Sequence, residues 1–229
     1  MRIDVRDVTV AYDGIPALTN VTLSFEGSGV VMLTGPTGAG KTTLLRLLYA
    51  DLLPTQGAVL IDDIATSSMK QVQRRAMRRR QGIVQQSCRL VSDYSVFDNV
   101  LMPYALAGLS KADATRSCLD LLADMNISYV RHKFPHQLSG GERHLVALAR
   151  AIASKPELLI ADEPTGTLDE ATSAHVASTL HSCVTHGMGL IISTHSANLL
   201  SAFPQATVCT ITEGVLTVDS THSTIEVQP

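Results

Sequence analysis

The sequence predicts a mixed α/β fold, with a mostly parallel sheet and a helical arm inserted into it. Three observations carry that reading. Short continuous apolar runs, Val30 to Leu33, Leu158 to Ala161 and Leu190 to Ser193, suit strands buried on both faces. The first run leads through a glycine-rich loop into the helical stripe of Leu44, Leu45, Leu47 and Leu48, the start of a βαβ unit. Between about Val96 and His136 the strand signals give way to helical ones.

Ahead of the first buried run, Ile3, Val5, Val8 and Val10 alternate with polar residues, with one slip at Asp7, and Val21, Leu23 and Phe25 alternate again. Both stretches read as strands with one buried face, joined through a turn at Asp13-Gly14. Ala58 to Ile61 and Gly82 to Gln85 are expected as further short strands. In the arm, Ser110-Lys111-Ala112-Asp113 has a helix-starting pattern, and Leu119, Leu122 and Met125 continue a helical face. Val208 to Thr212 and Val215 to Val218 flank Glu213-Gly214 as a hairpin. The expected organisation is one domain: a core over 1–86 and 137–219, the arm over 87–136, and a loose polar tail over 220–229.

Composition narrows the function classes. The chain has 229 residues, of which 45% are hydrophobic, enough to bury a core without disulfides. Cys88, Cys118, Cys183 and Cys209 lie far apart with no CxxC pair, which argues against a zinc site and suits a reducing cytosol. A net charge of −3 gives no general attraction to nucleic acid, so no nucleic-acid partner is expected. No apolar stretch reaches the length of a membrane span and no signal peptide opens the chain, so any membrane link is expected through a partner. The run Arg74 to Arg80 reads as a solvated helix face, with attraction to anionic lipid headgroups as the alternative.

Gly35-Pro36-Thr37-Gly38-Ala39-Gly40-Lys41-Thr42 fits GxxxxGK[ST], followed by Thr43. Glycines let such a loop curl its N–H groups inward onto phosphate oxygens, and the following helix adds the positive end of its dipole. Lys41 is expected at the β- and γ-phosphates and Thr42 on Mg²⁺. The strand Leu158 to Ala161 ends in Asp162 and Glu163. Strand alternation points the two acids apart: Asp162 is placed to hold the Mg²⁺ shell, Glu163 to orient and polarise water. Leu138-Ser139-Gly140-Gly141-Glu142 precedes an amphipathic helix and forms a second anion-binding helix start. One nucleotide does not need two cradles from one chain, so the second is expected to serve a nucleotide held by another copy.

On these residues the sequence resembles the ABC ATPase family over nearly its whole length. Gly35 to Thr42 matches Walker A, Leu159 to Glu163 Walker B, and Leu138 to Glu142 the signature, with Glu142 in its last place. The resemblance implies a RecA-like core with antiparallel N-terminal strands, ATP and Mg²⁺ as ligands, and a head-to-tail dimer in which Ser139 touches the partner copy's γ-phosphate. It implies that Tyr12 stacks on adenine, that Gln86 senses Mg²⁺ and the attacking water, that Thr167-Leu168-Asp169 is the D-loop, and that His195 contacts the γ-phosphate. Gln85, Leu145 and Ser196 stand where the family commonly has an aromatic residue, an arginine and an acid. Pro135 to Glu142 and Ala161 to Asp169 are similar to the branch of FtsE, LolD and MacB-type ATPases, and Gly35 to Tyr49 to the FtsE type. That branch implies a cytoplasmic subunit, peripheral on the inner face of the membrane, working with an FtsX-like integral membrane partner in cell division. The alternatives are lipoprotein release or efflux, a soluble ABC ATPase, and a catalytically dead scaffold, against which the intact Lys41, Asp162, Glu163 and His195 argue.

Overall fold

The computed structural model describes residues 1–166 and 168–218. In chain order the elements are β1 (Arg2–Tyr12), β2 (Ile15–Glu26), β3 (Val30–Thr34), α1 (Lys41–Leu48), β4 (Gln56–Ile61), β5 (Ile64–Ala65), α2 (Gln71–Arg79), β6 (Gln81–Val84), α3 (Val96–Leu106), α4 (Lys111–Asp124), α5 (Gly140–Ile152), β7 (Leu158–Asp162), α6 (Glu170–Thr185), β8 (Gly189–Ser193), α7 (Ala197–Ser201), β9 (Thr207–Thr212) and β10 (Val215–Val218). The expected tail over 220–229 lies outside the described residues, as does Thr167.

Two sheets carry these elements. A four-stranded antiparallel sheet runs β2-β1-β4-β5, and a six-stranded sheet runs β10-β9-β3-β8-β7-β6. The second is parallel from β9 to β6, with β10 returning antiparallel on β9. Asp13 and Gly14 join β1 to β2 with φ of 49° and 80°, the positive pair that matches a hairpin's twist. The slip at Asp7 is a register shift between Val5 and Val8, where Asp7 takes φ 47°.

The buried runs divide their side chains between the two faces of the large sheet. Leu158, Ile160, Val31, Leu33 and Ile191 join α1 and the small sheet in one apolar cluster. Leu159, Ala161, Met32, Leu190 and Ile192 join α3, α4, α5 and α6 in the other. Strand alternation thus explains why these segments lack polar positions: each face is covered. The helical arm packs into that second cluster, with Val100, Cys118 and Leu122 in one contiguous core with Val146 and Ile192 of the α5 and β8 segments.

The arginine run departs from a uniformly solvated face. Arg78 donates to the carbonyls of Tyr49 and Ala50 at 3.0 and 2.8 Å, closing the end of α1. Arg74 donates to Thr66 O at 3.2 Å. Arg80 grips Glu157 with two hydrogen bonds and Asp62 with a third. The sequence pattern hides this because the partners of Arg78, and Glu157 of Arg80, come from segments distant along the chain.

Candidate functional site

β3 delivers the chain into residues 35–40, and α1 begins at Lys41. Two glycines are dictated by space as well as by backbone angle. A Cβ on Gly35, at φ 128°, would lie 2.0 Å from Ile211 O, and one on Gly40, at φ 111°, would lie 2.5 Å from Ala17 O. No side chain caps α1 at Gly40, and its first turn carries no acid. The amides that every helix start leaves over therefore remain for an anion. Lys41 is buried, and its ammonium donates to Gly35 O at 2.7 Å and Pro36 O at 3.0 Å, with His195 Nε2 at 3.3 Å.

The acids stand at the C-terminal end of β7. Asp162 is buried, its Oδ2 accepting the Thr42 hydroxyl at 2.6 Å and its Oδ1 the Ser193 hydroxyl at 2.5 Å. Glu163 turns out of the strand at φ 50°, a conformation that costs a non-glycine residue on the order of 1 kcal/mol and needs support from its surroundings. That support comes from β8: the Glu163 N–H donates to Ser193 O at 3.0 Å and to Ser193 Oγ at 3.2 Å. Glu163 Oε2 accepts the His195 N–H at 3.3 Å, and Oε1 faces His195 Nε2 at 3.2 Å.

These groups open onto one cavity of about 1100 Å³, lined by Thr37, Gly38, Gly40, Lys41, Thr42, Thr43, Gln86, Asp162, Glu163 and His195. Gly35, Pro36 and Ala39 belong to the same loop and do not line the cavity. Tyr12 lies away from this lining, 43% exposed at the end of β1. Of the proposed D-loop, Leu168 lines the cavity, and Asp169 caps α6 by accepting the Thr172 N–H at 2.9 Å.

Ser139, Gly140, Gly141 and Glu142 are not among the lining residues, although His144 of the same helix is. The tip of α5 closes on itself. Ser139 Oγ accepts the Glu142 N–H at 3.2 Å, and Glu142 Oε2 accepts the Ser139 N–H at 2.6 Å, a reciprocal capping box. The Ser139 amide beside it holds the Glu142 carboxyl below its ordinary range.

The three unusual positions have structural uses. Leu145 is buried in the apolar cluster under α5. Gln85 donates to the Tyr49 hydroxyl at 3.1 Å. Ser196 caps α7, accepting the Leu199 N–H at 3.3 Å. Sequence reasoning missed Ser193 as a partner of both acids. A signal existed: β7 and β8 are both apolar runs ending in a polar residue, and parallel register sets Asp162 opposite Ser193. It also missed Thr165, whose buried hydroxyl has no partner among the described residues and which lines the cavity.

The model of the family described as ABC transporter matches residues 18–166. The chain belongs to the ABC transporter family. This ABC ATPase is 32% identical to the cell division ATP-binding protein FtsE of Bacillus subtilis (strain 168), over 96% of each chain. It is 37% identical to the lipoprotein-releasing system ATP-binding protein LolD 1 of Rhodospirillum rubrum, covering 86% of this chain and 87% of that one. Among solved structures it superposes on the ATP-binding cassette MJ0796, in a dimeric post-hydrolysis state bound to ADP and Pi, with a TM-score of 0.88 and 28% identity, covering 95% of this chain and 97% of that one. The ABC ATPase is thus an ATP hydrolase of the FtsE and LolD-like branch. Among the described residues no helix is long and apolar enough to cross a membrane.

Proposed function

We propose that this ABC ATPase is the ATP-hydrolysing subunit of a membrane complex, working as a pair of copies and coupling hydrolysis to an integral membrane partner. The observation that carries the reading is the gathering of Lys41, Thr42, Asp162, Glu163 and His195 around one cavity at an uncapped helix start.

In this reading the amides of residues 38–43 take the β- and γ-phosphate oxygens, with the Lys41 ammonium beside them. Asp162 is a buried carboxylate met by two hydroxyls, with no cationic side chain paired to it among the described residues. A buried charge of that kind needs a counter-charge, so the site fits Mg²⁺, with Thr42, Asp162 and Gln86 as the groups that would hold it. The ion, when bound, neutralises charge developing on the phosphates. Glu163 orients a water for in-line attack on the γ-phosphorus and takes its proton as the new P–O bond forms and the bond to the β-bridging oxygen breaks. His195 holds Glu163 in place through its N–H and faces the γ-phosphate. Tyr12, exposed at the end of β1, offers a ring to adenine.

The α5 tip does not line this chain's own cavity, which supports its use on a nucleotide held by a second copy; the MJ0796 cassette is a dimer. Peripheral attachment to the inner face of the membrane follows from a partner of the permease kind. The FtsE-like role, with an FtsX-like partner in cell division, is favoured by the match to FtsE along 96% of the chain. A lipoprotein-releasing role is the second reading, favoured by the 37% identity to LolD 1. Purification of the complex from gently solubilised membranes, followed by identification of the co-purifying membrane protein, separates the two.

Glu163→Gln tests the chemistry. ATP binding is expected to persist while hydrolysis falls by at least about 100-fold and an ATP-bound dimer accumulates. Hydrolysis at the parental rate would remove Glu163 from the water-positioning role.

A further inference from the structure

We propose that Ser193 is a positioning residue for metal-dependent hydrolysis, with one buried hydroxyl fixing the Asp162 carboxylate and the Glu163 backbone relative to each other. The inference rests on the reading of Asp162 as a metal-holding group.

Ser193 is the last residue of β8 and stands in register with Asp162, the last residue of β7. Its hydroxyl is inaccessible to solvent, at 0% exposure. A hydroxyl has one proton to give, and its neighbours fix where that proton goes. The Glu163 N–H, 3.2 Å away, can only donate, and Asp162 Oδ1, 2.5 Å away, accepts. The order is therefore Glu163 N–H to Ser193 Oγ, and Ser193 O–H to Asp162 Oδ1. The two carboxylate oxygens are thereby divided. Oδ1 is tied to β8, and Oδ2 is left on the side of Thr42 and the cavity. The terminal torsion of an aspartate is broad and roughly two-fold, so the chain of bonds, and not the rotamer, decides which oxygen faces the cavity. The same hydroxyl supports Glu163 in its positive-φ turn.

Hydrogen-bond partners behind a ligating carboxylate affect metal affinity by about 10- to 100-fold. The test is Mn²⁺ binding, followed by electron paramagnetic resonance, to the full chain saturated with a non-hydrolysable ATP analogue. Ser193→Ala is expected to weaken Mn²⁺ about 10-fold while the affinity for the analogue without divalent cation stays within about twofold. Ser193→Thr, which keeps the hydroxyl, is expected to restore Mn²⁺ affinity. Parental Mn²⁺ affinity in Ser193→Ala overturns the proposal, and so does a parallel loss of Mn²⁺ and analogue binding, which marks a merely structural hydroxyl. If Ser193→Ala does not fold, Ser193→Cys, a weaker donor, takes its place, with weakened Mn²⁺ binding expected and parental binding overturning the idea. Asp162→Asn separates the two levels. If it binds Mn²⁺ like the parent, the metal-holding reading fails; if it binds weakly while Ser193→Ala binds normally, only the role of Ser193 fails.

Discussion

The chain has two glycine-bearing helix starts, α1 at Lys41 and α5 at Gly140, and they are built in opposite ways. The α1 start has a glycine as its cap, no acid in its first turn and a buried lysine beside it. The α5 start has a serine cap, an acid in its first turn and a reciprocal capping box. A helix start that is capped by its own side chains has already satisfied part of its spare amide capacity, and a carboxylate there opposes a second anion. The difference teaches that a glycine-rich helix start is not one kind of site. In the proposed reading α1 holds the polyanion by itself, whereas α5, satisfied by its own side chains, makes a lighter contact with a ligand held elsewhere.

The largest expected effect comes from breaking the stronger tip. Lys41→Ala should weaken ATP binding by at least about 100-fold, since a charge-assisted contact to phosphate is lost from a buried place; equilibrium binding of a fluorescent ATP analogue measures it, and parental affinity would mean that α1 is not the anion site. Replacing Ser139 by Ala should cost about 1 kcal/mol through loss of the cap, lowering Tm by roughly 2–4 °C in thermal unfolding. An unchanged Tm would mean that the α5 capping box contributes nothing to stability. Glu142→Gln should sharpen the contrast. It keeps an oxygen acceptor for the Ser139 amide but removes the charge, so ATP-driven dimerisation should tighten by about 2- to 5-fold, read by sedimentation in the Glu163→Gln background. Tighter association supports a tip that faces a triphosphate; no change counts against it.

The smallest effect is expected far from both tips. Hydrogen bonds from Arg80, then from the N-terminal amine, draw the Glu157 carboxyl down to about 2. A carboxylate whose folded value lies below the unfolded one stabilises the fold above the unfolded value, near 4.5, and loses that contribution as the pH falls toward 2. Glu157 is half-exposed, so solvent screening holds the contribution to about 1 kcal/mol or less. Glu157→Gln should therefore lower stability slightly at pH 7 and flatten its fall between pH 4.5 and 3, by urea unfolding, while leaving ATP affinity unchanged. An unaltered acid profile would show that the Arg80 pair is energetically silent.

Much of the α1 site was legible because it is local in sequence. Gly35 to Thr43 are consecutive, and the loop's glycines, the lysine and the hydroxyl announce their chemistry by spacing. Asp162 and Glu163 were legible as the polar end of an apolar strand. The long apolar runs also gave away the parallel sheet, and the Glu213-Gly214 pair gave away the β9–β10 hairpin. What stayed hidden were the contacts that no motif implies: Ser193 meeting Asp162 across 31 positions, and Arg78 closing α1 from α2.

By itself, then, the sequence determined the strands of the parallel sheet, their double-faced burial and the glycine-rich loop that leads into α1, because periodicity and short motifs act between neighbours along the chain. Only the tertiary structure decided that Gly35 and Gly40 must lack a Cβ against Ile211 and Ala17, that Glu163 is held at positive φ by β8, and that the α5 tip stays out of the lining of the chain's own cavity. Those outcomes depend on which strand lies beside which, and strand order is set by burying two apolar faces at once, a global condition that no local stretch encodes.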